Sequence, residues 1–372
     1  MSLIKKVSLR IKLFLPIKTF VAFIALLVYI FRSRKRSIIA PELALKTSLI
    51  LHDGKHNGFP DMIHWQGNFY VAFRAAKRHI DRNSSIKILR SSNAEDWQLV
   101  AETDVPNEDI RDPKFAAING RLFLYALKVK RLREMPYTTV FSTSDDGISW
   151  SGWQDVSPES WVFWRPKTDD GQRWYVAADD RKRKQSALFS STDGIHWDKV
   201  STIYSGEFNA EIELSFLANK DIVCTVRVEG VEGDPKTMIG QAVHPYESWT
   251  LTSSRVTRLD GACSFTHRDQ VLSAGRFEPG PLSVTMGHLL NRKRTSLFLV
   301  RPHEIIWLAD LPSSGDTGYA SALVLGDRAF IVYYTSDPRK DDPWVLGQFK
   351  PTQLWLAQVD LEHLELLTSN CK

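Results

Sequence analysis

Charged side chains set inside apolar, strand-like runs are the first candidates for chemistry in this 372-residue sequence. Arg74 stands in YVAFRAA, Arg227 in IVCTVRVEG and Arg276 in LSAGRFEPG. A charge at the end of such a run needs either solvent or a partner. Brought together, three guanidinium groups offer planar, permanently charged, bidentate recognition of one anionic group. Arg111 and Asp112, in DIRDPKF, suit the hydroxyls of a sugar ring as well as they suit a plain surface ion pair. Asp61, Asp112 and Glu211 form a carboxylate set that would serve a neutral glycoside. SWVFWRPK supplies Trp161, Trp164 and Arg165, an aromatic platform for a sugar or, equally, packing between sheets. Tyr319, in SSGDTGYASALV, lies between two small residues at a Gly-rich corner, and Glu211 precedes Arg227 by sixteen residues.

Charge excludes one class of partner. Nine of the 48 basic residues lie in the first 36 positions, which hold no Asp or Glu; the remaining 39 face 43 acidic residues. The globular part is mildly acidic and gives no argument for nucleic acid. The basic segment contains an uncharged run from Thr19 to Phe31, extended to nineteen residues from Leu13 if Lys18 snorkels. RSRKRS follows it instead of a small-residue cleavage site. The expectation is an uncleaved N-terminal hydrophobic helix over 13–31 that anchors the chain in a membrane, with the rest on the extracytoplasmic side. Three cysteines (Cys224, Cys263, Cys371) form no framework, and the ten histidines show no HExxH or ligand-like spacing. No metal or other cofactor is expected.

These residues must be positioned by β-structure. From residue 47 onward, short runs such as GNFYVAFRA, GRLFLYALKV, DIVCTVRVEG and RAFIVYYTS alternate with Gly, Asp, Asn and Ser turns. One turn recurs as SSNAEDW (91–97), SDDGISW (144–150) and STDGIHW (191–197), placing Trp97, Trp150 and Trp197 at intervals of 53 and 47. Trp249 continues the series after 52 residues in a degenerate turn. A period near fifty with an aromatic turn in each unit is the mark of radially repeated four-stranded sheets. The expected organisation is all-β: a basic N-terminal segment (1–36), a linker (37–49), a six-bladed β-propeller (50–365) and a C-terminal tail (366–372).

The recurrent turn resembles, in shortened form, the Asp-box (BNR repeat) of the sialidase (neuraminidase) superfamily, and the chain resembles a divergent exo-α-sialidase of bacterial type. The resemblance implies a propeller whose ligand site is the mouth of the central channel. It implies that Arg74, Arg227 and Arg276 clamp a substrate carboxylate, although the family's Arg-Ile-Pro stretch is here FRAA. GYASALV is similar to the segment carrying the family's catalytic tyrosine, which implies Tyr319 as nucleophile and Glu211 as the base that takes its proton. A phenol avoids the repulsion that a carboxylate would meet at an anomeric carbon bearing its own carboxylate, and sialidases are the tyrosine exception among retaining glycosidases. The family's acid is an Asp in the loop after the first arginine. In KRHIDRNSSIKILRSS the matching place is Asn83, which cannot donate a catalytic proton, so the role passes to Asp81. The implied partner is an acidic sugar of a glycoconjugate, cleaved or, in the alternative reading, only bound.

Overall fold

The computed structural model describes residues 36–129, 137–156, 160–229, 235–278, 290–369 and 371. The hydrophobic helix expected over 13–31 lies outside the described residues. Among the described residues no helix is long and apolar enough to cross a membrane.

β1 (Lys46–Leu51) is followed by the first sheet, β2 (His56–Trp65), β3 (Asn68–Ala76), β4 (Ser85–Ser91) and β5 (Gln98–Asp104). The second holds β6 (Asp109–Ile118), β7 (Arg121–Val129), β8 (Thr138–Ser144) and β9 (Gln154–Asp155). The third holds β10 (Val162–Phe163), β11 (Trp174–Asp180), β12 (Gln185–Ser191) and β13 (Asp198–Ser205). The fourth holds β14 (Asn209–Phe216), β15 (Ile222–Val228), β16 (Lys236–Ala242) and β17 (Thr250–Ser254). The fifth holds β18 (Asp260–His267), β19 (Gln270–Phe277), β20 (Arg294–Arg301) and β21 (Glu304–Asp310). The sixth takes β22 (Thr317–Leu325), β23 (Arg328–Thr335) and β24 (Gln353–Asp360) from the C-terminal end, and β1 completes its outer edge. This is the six-bladed propeller expected from the repeat. Its closing strand starts at Lys46, inside the stretch assigned to a linker, and pairs Thr47 with Ala357 and Ser48 with Leu356. Two helices belong to the sixth blade, α1 (Trp344–Gly347) and α2 (Leu361–Ser369).

The strands read as continuous apolar runs because both faces of each blade are buried. On β3, Phe69, Val71 and Phe73 pack against the sixth blade while Tyr70 and Ala72 pack against the second. The period of two thus sends alternate residues to different neighbours. A separate apolar cluster fills each seam around the ring. The recurrent turns at 91–97, 144–150 and 191–197 join third to fourth strands. Asp193 Oδ1 accepts the Ile195 and His196 amides, both at 2.8 Å, and Asp146 and Asn93 do the same in their turns. The third of these turns locks onto the preceding blade, where Tyr125 Oη donates to Gly194 O at 2.6 Å.

Candidate active site

Five innermost strands share one irregularity. Pairing lapses between Gly58 and Asp61, Arg111 and Lys114, Ala210 and Glu213, Asp260 and Cys263, and Gly318 and Ser321. The first residue of each gap is left-handed: Phe59 (φ 57°), Asp112 (53°), Glu211 (54°), Gly261 (60°) and Tyr319 (48°). A bulge re-aims a side chain, and a non-glycine residue held at positive φ costs on the order of 1 kcal/mol or more. Pro60 and Pro113 follow in the first two blades, where the ladder bond is already missing and an absent N–H costs nothing. Four blades therefore aim a side chain at the ring centre, Phe59, Asp112, Glu211 and Tyr319, and the fifth places Gly261 there.

Tyr319 and Glu211 meet there. The phenol donates to Glu211 Oε1 at 2.6 Å, and Gly261 N donates to Glu211 Oε2 at 2.7 Å. Arg227 Nη1 touches the same Glu211 Oε1 and lies 3.3 Å from the phenol oxygen. A Cβ on Gly261 would stand 2.5 Å from Tyr319 Cγ, so glycine at this bulge makes room for the ring. Phe59 packs edge-on against Tyr319 with centroids 4.9 Å apart, and the Arg276 guanidinium lies 4.8 Å from the Tyr319 centroid. Burial pushes the phenol's pKa up; the Glu211 carboxylate adds to this, while Arg227 and Arg276 pull against it. Tyr319 therefore rests as the neutral phenol, with an ionisable acceptor already on its proton.

The structure brings together six of the residues singled out in the sequence: Tyr319, Glu211, Arg227, Arg276, Arg111 and Asp112. Arg74, Arg227 and Arg276 hold one position in their blades, opposite Gly58, Ala210 and Asp260 respectively. Each reaches into the next blade. Arg74 Nε donates to Asp109 Oδ1 at 2.6 Å, Arg227 Nε stands 3.1 Å from Asp260 Oδ1, and Arg276 Nε donates to Thr317 O at 2.6 Å. Burial disfavours the Asp260 charge, but Arg227 and Arg258 outweigh it and hold this carboxyl well below the usual range. Arg74 has no exposed surface and spends three of its five donors on Asp109, Arg78 O and Asp81 O, which turns it away from a ligand. Gly58-Phe59-Pro60 in β2 stands at the bulge opposite Arg74. The third cation of the mouth is Arg111, whose guanidinium lies 4.5 Å over the Phe59 ring, with Asp109 and Asp112 each 3.5 Å away. Asp112 Oδ1 is buried and has no hydrogen-bond partner among the described residues.

Beneath this layer a charged plug closes the channel. Arg165 Nη2 donates to Asp61 Oδ1 at 2.8 Å and Nη1 to Glu213 Oε2 at 2.7 Å, and Lys167 Nζ lies 2.5 Å from Glu213 Oε1. Asp61 is 1% exposed, which removes it from contact with a substrate. Trp164 lies beside Tyr319, with ring centroids 6.1 Å apart, whereas Trp161 packs on Phe189 in a seam.

Two features had no signal in the sequence. Asp179, buried on β11, is pushed up to about 6 by burial; Arg181 opposes this and Glu211 adds to it. Asp316 gathers a wider cluster: its Oδ2 takes His56 Nε2 at 2.8 Å and His79 Nδ1 at 2.6 Å, and its Oδ1 takes Tyr334 Oη at 3.0 Å and Trp344 Nε1 at 2.9 Å. The two imidazole nitrogens and the carboxylate oxygen lie within 4.8 Å of one another, the reach of a metal site. Two ligands on one tetrahedral zinc stand roughly 3.4 Å apart, so the two contacts to Oδ2 are hydrogen bonds. His56 and His79 are far from Asp316 in sequence, and only the closure of the first blade on the sixth joins them. His79 shares its loop with Asp81 and Asn83. The Asp81 carboxylate is turned back onto that loop, accepting Lys77 N at 3.3 Å and Asn83 N at 3.2 Å, and Asn83 is exposed.

No protein-family model matches the sequence, and no curated protein matches it. Solved structures do. A protein of unknown function from Dyadobacter fermentans superposes with a TM-score of 0.63 at 18% identity, over 85% of this chain and 99% of that one. Trypanosoma rangeli sialidase, as its covalent intermediate with 2,3-difluorosialic acid, gives 0.66 at 12% identity, over 89% of this chain and 61% of that one. The endosialidase of phage phi92 gives 0.62 at 11% identity, over 85% and 69%. The fold is a sialidase-like propeller. The chain spans about three fifths of the length of the trypanosomal enzyme, and at these identities the likeness is one of fold.

Proposed function

We propose that this propeller is a retaining glycoside hydrolase for a sugar whose anomeric carbon carries a carboxylate, a terminal sialic acid or a close relative. The observation that carries the reading is the 2.6 Å hydrogen bond from Tyr319 Oη to Glu211 Oε1, made by two residues on left-handed bulges of different blades. A phenol near pKa 10 is a weak nucleophile until a base takes its proton, and Glu211 is in place to do so as the bond to carbon forms. Tyrosine in place of a carboxylate fits an anionic anomeric centre. Arg111, Arg227 and Arg276 surround the phenol with positive charge, and the unspent Asp112 Oδ1 suits a ring hydroxyl. The fold neighbours named for sialidase activity support the same class of substrate.

The test is hydrolysis of a fluorogenic aryl sialoside by the full chain beside Tyr319→Phe. Turnover should fall by at least about 10³-fold in the variant. Equal turnover by both proteins would remove Tyr319 from the reaction. A second reading, a propeller that binds such a sugar without cleaving it, is favoured by the Asp81 carboxylate being held within its own loop. Saturable binding of a sialoside with no turnover by the folded wild type would decide for it.

A further inference from the structure

The reaction as drawn lacks a group to protonate the leaving oxygen, since Asp81 is turned back onto its own loop and Asn83 has no proton to give. We propose that His79, oriented by Asp316, is the proton-transfer group of this site; the proposal rests on the hydrolase reading above.

An ionised carboxylate only accepts hydrogen bonds, so at 2.6 Å from Asp316 Oδ2 the Nδ1 of His79 carries the proton. That fixes the ring's tautomer and leaves Nε2 as the working nitrogen, with no hydrogen bond among the described residues. The arrangement is the one by which a carboxylate orients a catalytic imidazole. Asp316 is itself rigid. Tyr334 and Trp344 occupy its other oxygen, and Arg276 Nη2 lies 3.5 Å away. The His79 amide donates to Gln348 O at 3.1 Å, pinning the loop to the sixth blade. The side chain is nevertheless 14% exposed, whereas its partner His56 is fully buried. One aromatic ring separates His79 from the nucleophile. Phe59 packs edge-on against both, 5.3 Å from the His79 centroid and 4.9 Å from that of Tyr319.

The protons balance over a cycle. In the first half, Tyr319 Oη bonds to the anomeric carbon, its proton passes to Glu211, and His79, entering as the imidazolium, gives its Nε2 proton to the departing glycosidic oxygen. In the second, the neutral imidazole takes a proton from the attacking water. The bond to Tyr319 then breaks, and the phenol recovers its proton from Glu211. The charged groups facing His79 are Asp316, just before β22, Arg111 from β6 and the titratable His56 from β2. Burial, with help from Arg111 and His56, holds its pKa down to about 4 against the pull of Asp316. The alkaline limb of kcat/KM should therefore fall on the acid side of neutrality.

The experiment compares two sialosides, one with a phenolic leaving group that departs unaided and one with a sugar alcohol that needs a proton. The full chain is measured beside His79→Ala and His79→Gln. Loss of a general acid costs roughly 10²–10⁴-fold, so both variants should lose about that on the sugar alcohol and less than about tenfold on the phenol. The alkaline limb should disappear with His79. Added imidazole should restore part of the His79→Ala rate. Equal losses on both substrates in the folded His79→Gln protein, with the pH profile intact, would make His79 structural and overturn the proposal. A wild type that hydrolyses neither substrate would overturn the hydrolase reading and this proposal with it.

Discussion

Glu211 is asked to take one proton at one moment, and its replacement is the sharpest residue-scale test. Glu211→Gln keeps the shape and can still accept the Gly261 amide, but cannot take the phenolic proton. Steady-state kinetics with an aryl sialoside should show kcat lower by about 10²–10⁴-fold with KM little changed. An unchanged kcat would contradict the role. The same neighbourhood sets acid stability. His79 is held near 4 in the fold against about 6.5 unfolded, and Asp316 is held well below 3.8. In both cases the unfolded chain binds more protons, His79 between about 6.5 and 4 and Asp316 below about 4. Stability should fall as pH falls through that window, and thermal melts of His79→Gln should lack the part above pH 4. What was legible at this scale was residue type: Tyr319, Glu211, Arg227 and Arg276 stand out from their strands and do converge. Arg74 stood out for the same reason but is consumed by Asp109. Nothing in the spacing of His56, His79 and Asp316 announces their meeting.

Bulges and turns decide where these side chains point. Gly261 is left-handed and lies against Tyr319. Gly261→Ala should cost about 1–3 kcal/mol in denaturant unfolding and push Tyr319 off Glu211, lowering turnover well beyond the stability effect. A variant as active as wild type would show that the close packing is dispensable. Gly194, at φ 77° in the recurrent turn at 191–197, gives the contrast: a Cβ there would stand 2.6 Å from Ile118 Cδ1. Gly194→Ala should destabilise by a similar amount while the folded fraction keeps its kcat, because its turn joins the third and fourth strands of a blade and not the innermost one. The boxes were legible because turn, acidic residue and tryptophan recur at fixed intervals. A further turn of the same kind, Thr168 to Trp174, joins β10 to β11 and falls outside that spacing. The bulges were not legible, since Phe59, Asp112, Glu211 and Tyr319 are residue types that give no hint of positive φ. Gly58-Phe59-Pro60 on β2, and not Phe73-Arg74 on β3, holds the innermost position.

The molecule is a closed ring, and its closure is one strand deep. β1 supplies the outer edge of the sixth blade, and Leu43, just before it, is fully buried in the seam between the fifth and sixth blades. Deleting residues 36–51 exposes the backbone edge of β24 and opens that seam, so the single unfolding transition should broaden or split in calorimetry. A sharp transition at the wild-type temperature would show that the ring holds without it. The blade count was legible from the repeat, but the use of residues 46–49 as strand was not, because an outer edge strand is exposed on one side and lacks a fully apolar run. The same closure joins β2 and the loop after β3 to the start of β22, setting His56 and His79 beside Asp316, and it carries Tyr319 opposite Glu211. The central claim is that Tyr319 forms the bond to the sugar. The most direct measurement is peptide mass spectrometry of the full chain after incubation with a 2,3-difluorinated sialosyl donor, whose fluorines slow breakdown of the adduct. A sialosyl adduct on the peptide carrying Tyr319, absent in Tyr319→Phe, is the predicted result. An adduct on a carboxylate, or steady turnover of an aryl sialoside with Tyr319 unmodified, would contradict it.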